Sequence, residues 1–508
     1  MNFCSTYMRD GKVLPIDDEF KTTYDDVYRK FGSRGQRVIG TAAGLFNAHK
    51  IGEIKAKEDV PMKDLCFLGV YAIMDPPRDD VPGAVADCRQ AGIRVFMVTG
   101  DHPLTARAIA EKVGILDKEM TVAVLGSDED EHKNVSVPKE ESDAFVIEGW
   151  VIENFDDEMW DRVLEKEAIV FARTTPENKL TIVTQCQNRR EVVAVTGDGV
   201  NDGPALKKAN IGVAMGMCGS EVAKEAANII ITDDNFASIV KGVELGRLIF
   251  DNLKKTIAYT LTHLLPEILP VLLSLAFGLP QGLSSLQILT IDLLTEMAPA
   301  ISLSYEVKES DIMSHKPRDI EKDRLVTPQL VSYAYLEVGI IEAAACFIAY
   351  TIGFLQYGIT LGDLAFTDDK YFEDDSPPLC ASAGSMKCYG RDEQIDILYR
   401  VRSTWYMTLV ISQAFHIWSC KTRRVSIFKH PLFANKAMIF AVIIELLLMC
   451  IFVFIPGLNR EVLRCDIPFW WSWIPGIICG LVITAFNEGR KKIIRTRPNS
   501  LPARALFW

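Results

Sequence analysis

VAVTGDGVND (residues 193–202) joins a short β-branched apolar run to two carboxylates, Asp198 and Asp202, set among glycines with Asn201 between them. The glycines permit tight backbone turns, and the carboxylates form a hard-oxygen set suited to Mg²⁺. In open α/β sheets ligands bind beyond the carboxyl ends of the strands, which is where this stretch places its chemistry. Two further stretches repeat the arrangement. VFMVTGDH (95–102) ends a strand in Thr99, Gly100 and Asp101, with a helix predicted from about Leu104, so exposed N–H groups and a hydroxyl face a phosphate. FARTTPENK (171–179) presents Lys179 as a point charge for a phosphoryl oxygen. Singly, each is also a plain strand-to-helix turn with Gly for positive φ and Asp as a cap. Around them, candidate strands at 67–74, 95–99, 168–172, 192–195, 211–214 and 229–231 alternate with amphipathic stretches, predicting a parallel sheet covered by helices.

The remainder of the chain is of another kind. Its 508 residues are 49% hydrophobic and 24% charged, with mean hydropathy +0.12, and the two populations are segregated. Residues 1–255 are charge-rich; from Ile257 onward apolar runs of bilayer length alternate with short charged loops. This excludes a disordered chain, a small disulfide scaffold and an all-soluble enzyme. A net charge of −12 without a large basic patch argues against nucleic acid as a partner. The twelve cysteines form no CxxC pair, and Cys4, Cys66, Cys88, Cys186 and Cys218 fall in segments that read as cytosolic and reduced. The polar start MNFCSTYMRDGK predicts no secretory signal peptide.

Six stretches reach the roughly 20 residues a bilayer core requires: 257–277, 285–303, 331–354, 403–418, 437–454 and 468–486. Lys254 and Lys255 precede the first span. Lys316, Arg318, Lys322 and Arg324 follow the second, Lys421, Arg423 and Arg424 the fourth, and Arg490, Lys491, Lys492 and Arg495 the sixth. All four clusters fall on one side, which predicts cytoplasmic termini and an outer acidic loop at about 355–400. In that loop Cys380 and Cys388 permit a disulfide without requiring one.

Hydrocarbon rejects charge at a cost of about 3 kcal/mol or more per group, yet Glu267, Asp292, Glu296, Glu337, Glu342 and Glu445 all lie in spans, with His263, Gln413 and His416 at similar depth. His263 and Glu267, and Asp292 and Glu296, are four apart and so share a helix face; Gln413 and His416 are three apart. Pro266, Pro270 and Pro299 release carbonyls at membrane depth, a pattern tolerated where the backbone lines a cavity. Glu267, Asp292 and Glu296 are therefore read as ion ligands. For Glu337, Glu342 and Glu445 a snorkelling helix-end residue stays open beside that role.

Taken together, MDPPR (74–78), MVTGDHPLTA (97–106), TGDGVNDGPALKKANIGVAMG (196–216), DDNFASIV (233–240), GRLIFDNLKK (246–255) and PAISLSYE (299–306) resemble the P-type cation-transporting ATPases, most of all the catalytic α subunits of sodium/potassium and gastric proton/potassium pumps. The resemblance implies an α/β haloacid-dehalogenase-like (Rossmann-type) phosphorylation domain at 61–245, a remnant of a nucleotide-binding domain at 1–60, and an all-α six-helix transmembrane bundle at 246–508. It implies ATP and Mg²⁺ as cofactors, with Asp198 and Asp202 as Mg²⁺ ligands. Thr99, Gly100, Lys179 and Asn201 would hold the phosphoryl oxygens, Asp101 would be the acid of the TGD motif, and Arg37, in YRKFGSRGQRVIG (28–40), would lie near the nucleotide. Glu267, Asp292, Glu296, Gln413 and Glu445 match cation-binding positions for monovalent cations. Cys388, Tyr389 and Gly390 fall where a β subunit would dock. Membrane lipid surrounds the bundle, and the subgroup implies the plasma membrane.

Departures from the pattern are specific. His263 stands where the sodium/potassium pump has Ser and the proton pump Lys, Leu264 replaces an Asn, and His416 replaces an Asp. Two oxygen ligands are lost and two imidazoles gained, which points to a proton-linked or reduced-stoichiometry exchange with His263 as partner of Glu267 or Glu296. No DKTGT-like sequence occurs in the 508 residues, so the phosphorylated Asp and the first strand of its domain are lacking. The expectation is the C-terminal half of a pump, inactive by itself; the alternative is a catalytically silent membrane protein that binds Mg²⁺ or a β-like subunit without turnover.

Overall fold

The computed structural model describes residues 3–45, 62–126, 142–320, 323–367, 371–372, 376–382, 387–498 and 500–508. Lys322 of the second basic cluster, residues 46–60 of the first predicted domain, and parts of the predicted outer loop lie outside the described residues. The chain forms two compact units, one of residues 1–243 with 313–317 and one of residues 244–312 with 318–508.

In the first unit β1 (Cys4–Arg9), β2 (Lys12–Pro15), β3 (Arg37–Ala43) and β4 (Leu65–Ile73) make a four-stranded sheet of order β2-β1-β4-β3. Here β4 departs from its predicted place among the motif-bearing strands. It pairs in parallel with β1 and antiparallel with β3, Arg37 opposite Ile73 through Ala43 opposite Cys66, so both of its edges are occupied.

The remaining strands form two parallel sheets rather than the single one predicted. The first contains β5 (Met97–Val98), β6 (Val122–Leu125), β7 (Ala144–Glu148) and β8 (Ala168–Ala172) in order β5-β8-β7-β6. The second contains β9 (Ala194–Gly197), β10 (Ile211–Met215) and β11 (Ile229–Ile231) in order β11-β10-β9. Burial explains why β7 and β8 are the center of the first. All ten of their residues are buried, and the strand period of two sends alternate side chains to opposite faces. Phe145, Ile147, Ile169 and Phe171 pack with Trp160, Val163 and Ile182, while Ala144, Val146, Ala168 and Val170 pack with Val85, Ala106 and Val113. Helices thus cover both faces, as an all-parallel sheet requires. The motif strands β5 and β9 lie at the edge of their respective sheets.

Among the described residues six long helical segments build the second unit, the first of them starting within the first unit. The first runs through Phe236–Thr262 and Leu264–Phe277, the second through Ser285–Thr290, a π turn at Ile291–Thr295 and Met297–Ser302, and the third through Pro328–Val331, a π turn at Ser332–Val338 and Gly339–Leu355. Arg391–Cys420, Lys436–Phe454 and Trp473–Thr496 complete the set. Four of these, at 236–277, 285–305, 328–355 and 436–454, are long and apolar enough to cross a membrane, where six were predicted. The other two are helices with a physical reason for their polarity. Arg391–Cys420 is enclosed by its neighbors, with every residue from 403 to 414 buried, so Ser403, Thr404, Thr408, Ser412 and Gln413 face protein. In Trp473–Thr496 the apolar part gives way to Asn487, Glu488, Arg490 and Lys491; the predicted 468–486 span also begins ahead of the helix.

These two helices meet closely through a GxxxG pair, a device that lets helix backbones approach. A methyl group on Gly476 would sit 2.7 Å from Ile411 Cβ, and one on Gly480 would clash with the Phe415 ring. Basic residues predicted at the second unit's cytoplasmic rim are turned inward. Glu306 accepts from Lys421 Nζ at 2.9 Å, from His430 Nε2 at 3.0 Å and from Asn435 Nδ2 at 3.1 Å. Glu309 accepts the N–H groups of Arg423, Arg424 and Val425. Burial raises the Glu306 pKa, but the His430 and Lys421 bonds outweigh it and bring the carboxyl down to about 2.

Gly480→Leu is expected to cost about 1–3 kcal/mol of overpacking, read as a lower unfolding midpoint of the detergent-solubilized protein. Gly489→Leu, where a Cβ has nothing within 4 Å, serves as the control; equal losses in both would refute the packing role. Because the Glu306 pKa falls on folding, its stabilization is fully present above its ordinary value of 4.5 and is lost as pH drops toward about 2. Glu306→Gln should therefore lower the midpoint at neutral pH and flatten its decline across that acid window.

Candidate functional site

In the first unit the predicted phosphate residues are held by backbone bonds at strand ends. Thr99 N–H donates to Phe171 O at 2.9 Å, Arg173 N–H to Asp101 O at 2.9 Å, and Thr174 N–H to Thr99 O at 3.0 Å. These bonds tie the Thr99-Gly100-Asp101 turn to the end of β8. A capping box then starts the next helix: Asn178 N–H donates to Thr175 Oγ1 at 3.2 Å and Thr175 N–H to Asn178 Oδ1 at 2.9 Å. Lys179 is thereby set in the first turn of Pro176–Asn188, and its Nζ lies 2.5 Å from Asp202 Oδ1.

Asp202 is fixed from a second direction by Gly199 N–H, which donates to Oδ2 at 3.1 Å. A Cβ on Gly197 would fall 2.5 Å from Asp202 Cβ, so the carboxylate occupies space that only glycine leaves. Asp198 is exposed at the end of β9, and its carbonyl accepts Ser220 N–H at 2.8 Å. Asp234, of the DDNFASIV stretch, accepts the N–H groups of Met217 and Cys218 at 2.9 and 2.7 Å. The Met217 bond is the largest influence that brings its carboxyl down to about 2. Arg37, expected near a nucleotide, pairs with Asp101, with Nε and Nη2 at 2.9 and 2.5 Å from Oδ1. Asn201 is exposed beside Asp202.

In the second unit the first segment breaks at His263. Pro266 and Pro270 lack the N–H groups that would bond to Thr262 and Pro266 carbonyls, and Trp405 Nε1 donates to Pro266 O at 3.2 Å. His263, Glu267 and Asp292 each bring one possible ligand atom to a cluster whose atoms all lie within 4.8 Å of one another. The partner of His263 differs from the predicted Glu267 or Glu296: its Nε2 is 3.3 Å from Asp292 Oδ1. Glu296 N–H bonds to Ile291 O, five residues back, at 3.0 Å, and Asp292 is exposed where Glu296 is buried. Glu296 accepts from Tyr259 Oη instead.

A second polar group surrounds Thr262. Gln413 Nε2 donates to Glu342 Oε2 at 2.8 Å and to Thr262 Oγ1 at 3.2 Å, and His416 Nδ1 lies 3.2 Å from that hydroxyl. On its other side His416 Nε2 is 3.1 Å from Tyr333 Oη, which donates to Asn487 Oδ1 at 2.9 Å. Glu342 and Glu445 are fully buried, so neither snorkels; Glu337 is half-buried. Both carboxylate oxygens of Glu445 have no hydrogen-bond partner among the described residues. Sequence reasoning missed Tyr259, Thr262, Tyr333 and Asn487 and left Glu342 undecided. Tyr259 had a usable signal, four residues before His263 on one helix face.

Residues 280–493 match the family described as cation transporting ATPase, C-terminus, and residues 15–210 and 179–243 each match a haloacid dehalogenase-like hydrolase family. The chain is 42% identical over 98% of its length to sodium/potassium-transporting ATPase subunit alpha-4 of Rattus norvegicus, covering 48% of that protein. It is 40% identical over 99% of its length to sodium/potassium-transporting ATPase subunit alpha of Hydra vulgaris, covering 50%. It is 41% identical over 98% of its length to potassium-transporting ATPase alpha chain 2 of Cavia porcellus, covering 48%. The chain spans about half the length of the curated relatives it matches. Its parallel-sheet unit of haloacid-dehalogenase type, its helical membrane unit and these matches make it a member of the P-type cation-transporting ATPases, corresponding to the C-terminal half of their α subunits.

Proposed function

We propose that these residues form the phosphate-handling and ion-carrying parts of a pump that couples ATP hydrolysis to monovalent cation transport, by a sodium/potassium-type exchange with a proton-linked step at His263. The observation that carries this reading is that one chain places Lys179 against Asp202 at the end of a parallel sheet and buries Glu267, Glu296, Glu342 and Glu445 among helices of membrane length. Phosphoryl transfer requires positioning and charge neutralization, and transport requires a polar path within a bundle.

In this reading Asp198 and Asp202 would hold Mg²⁺, a role that fits hard carboxylate oxygens, with Gly197 leaving room for the Asp202 side chain. Bound there, the ion neutralizes charge on phosphoryl oxygens. Thr99, Gly100, Lys179 and Asn201 orient those oxygens, and Arg37 reaches the site of ATP through its pairing with Asp101. Glu267, Asp292, Glu296, Gln413 and Glu445 carry the cation. The phosphorylated aspartate of the reading is not among the 508 residues.

The domain boundaries at 60 and 245, cytoplasmic termini and a plasma-membrane location belong to the same proposal. Cys380 and Cys388 form a disulfide in the loop predicted to lie opposite the basic clusters, which supports an oxidizing exterior there. Cys388 and Tyr389 pair as a short strand with Leu379–Cys380, a small platform for a β subunit.

Rubidium uptake into vesicles of the native membranes tests the reading, with substitutions made in the protein as the cell produces it. Gly197→Ala and Asp198→Asn should each reduce ATP-dependent uptake on the order of 100-fold, the scale of losing a transition-state contact. Glu296→Gln should reduce uptake without removing acid-stable phosphate incorporation. His263→Ser should remove the pH dependence of uptake between about pH 5 and 8. No phosphate incorporation, together with uptake that none of these substitutions changes, would establish the catalytically silent alternative.

A further inference from the structure

The group formed by His263, Glu267 and Asp292 contains something an alkali-metal site does not require. Sodium and potassium are hard ions held by shells of oxygen, and an imidazole nitrogen is a poor ligand for them. Nitrogen with carboxylate oxygen suits zinc and its neighbors in the first transition row. Here one ring nitrogen and two carboxylate oxygens, from two separate segments, already lie within 4.8 Å of one another.

A second, independent observation supports a bound ligand. His263 and Glu267 are 4% and 3% exposed, and Glu267 Oε1 has no hydrogen-bond partner among the described residues. A buried carboxylate oxygen is costly unless satisfied, and a bound cation would satisfy it. The single contact within the group, His263 to Asp292 at 3.3 Å, leaves most of its donor capacity unused. His263 stands at the break between Phe236–Thr262 and Leu264–Phe277, beside the group.

We propose that His263, Glu267 and Asp292 form a binding site for a divalent transition-metal ion of the zinc type, with three protein ligands and one open position. The inference rests on the pump reading only in treating the same pocket as a cation path; binding itself requires neither ATP nor transport.

The test uses the full chain, purified in detergent without a histidine tag, stripped with EDTA and titrated with Zn²⁺ alone, with Co²⁺ as spectroscopic reporter. The expected result is one zinc equivalent per chain and intense visible absorption from four-coordinate cobalt. His263→Ser and Asp292→Asn should each weaken zinc binding by more than about tenfold, the low end of what loss of even a supporting group costs a metal site. Glu267→Gln, equal in shape, should do the same and serves if the other variants misfold, as checked by circular dichroism. No zinc equivalent, or one that survives all three substitutions in folded protein, overturns the proposal. The titration is read without ATP or transport, so absent zinc binding overturns the site alone, while absent phosphate incorporation with substitution-insensitive uptake in native membranes overturns the pump reading alone.

Discussion

A helix that carries Ser403, Thr404, Thr408, Ser412, Gln413 and His416 can be held inside an apolar bundle only if its neighbors press close enough to exclude lipid and supply partners for its polar groups. The Arg391–Cys420 helix meets that constraint, and much of the membrane unit follows from it. Gly476 and Gly480 bring the Trp473–Thr496 backbone against it, and Gly353 admits Val401 from the third segment. Thr404 Oγ1 meets Ser472 Oγ at 2.8 Å, while Gln413 and His416 find Glu342, Thr262 and Tyr333. Trp405, on the same helix, supplies an N–H to a carbonyl that Pro270 releases in the first segment. The broken helix that carries His263 and Glu267 is thus braced by the helix it packs on, since a freed carbonyl in hydrocarbon is costly.

The phosphate-handling end rests on a different economy of structure. Its residues lie at the ends of strands whose neighbors are parallel, so every strand delivers its C-terminal turn to one side. Backbone bonds do most of the positioning: Thr99 and Asp101 are held through main-chain atoms at the end of β8, and Asp202 through Gly199 N–H and Lys179. Such sites tolerate change in side chains outside the motif but not in the glycines, because Gly197 and Asp202 occupy adjoining space.

What was legible in the sequence, and what was not, divides along the range of the interactions. The turns after β5, β8 and β9 are local and contiguous, and were read with their residues and helix starts nearly in place. Sheet membership is non-local. Nothing in the composition of 65–73 told that it would pair with 4–9 and 37–43 rather than with the motif strands. Hydropathy gave depth but not direction. It found Glu342 and Glu445 without telling that both point inward, and it counted Lys421 as rim charge although the residue is buried against Glu306. The Arg391–Cys420 helix was recognized as a span, yet its enclosure was not, because a helix buried among helices no longer requires an apolar surface.

The pairing of His263 with Asp292 shows how one side chain redistributes chemistry. Spacing of four predicted Asp292 and Glu296 side by side, both available to one ion. In the folded unit Asp292 meets His263 and Glu296 meets Tyr259, and Asp292 is exposed where Glu296 is buried. One carboxylate then belongs to a nitrogen-containing group, the other to a buried group with a phenol. An aspartate that would be one more oxygen in an alkali-ion shell stands opposite an imidazole, and the pocket acquires a mixed donor set through one histidine; a serine at that position would gather oxygen only.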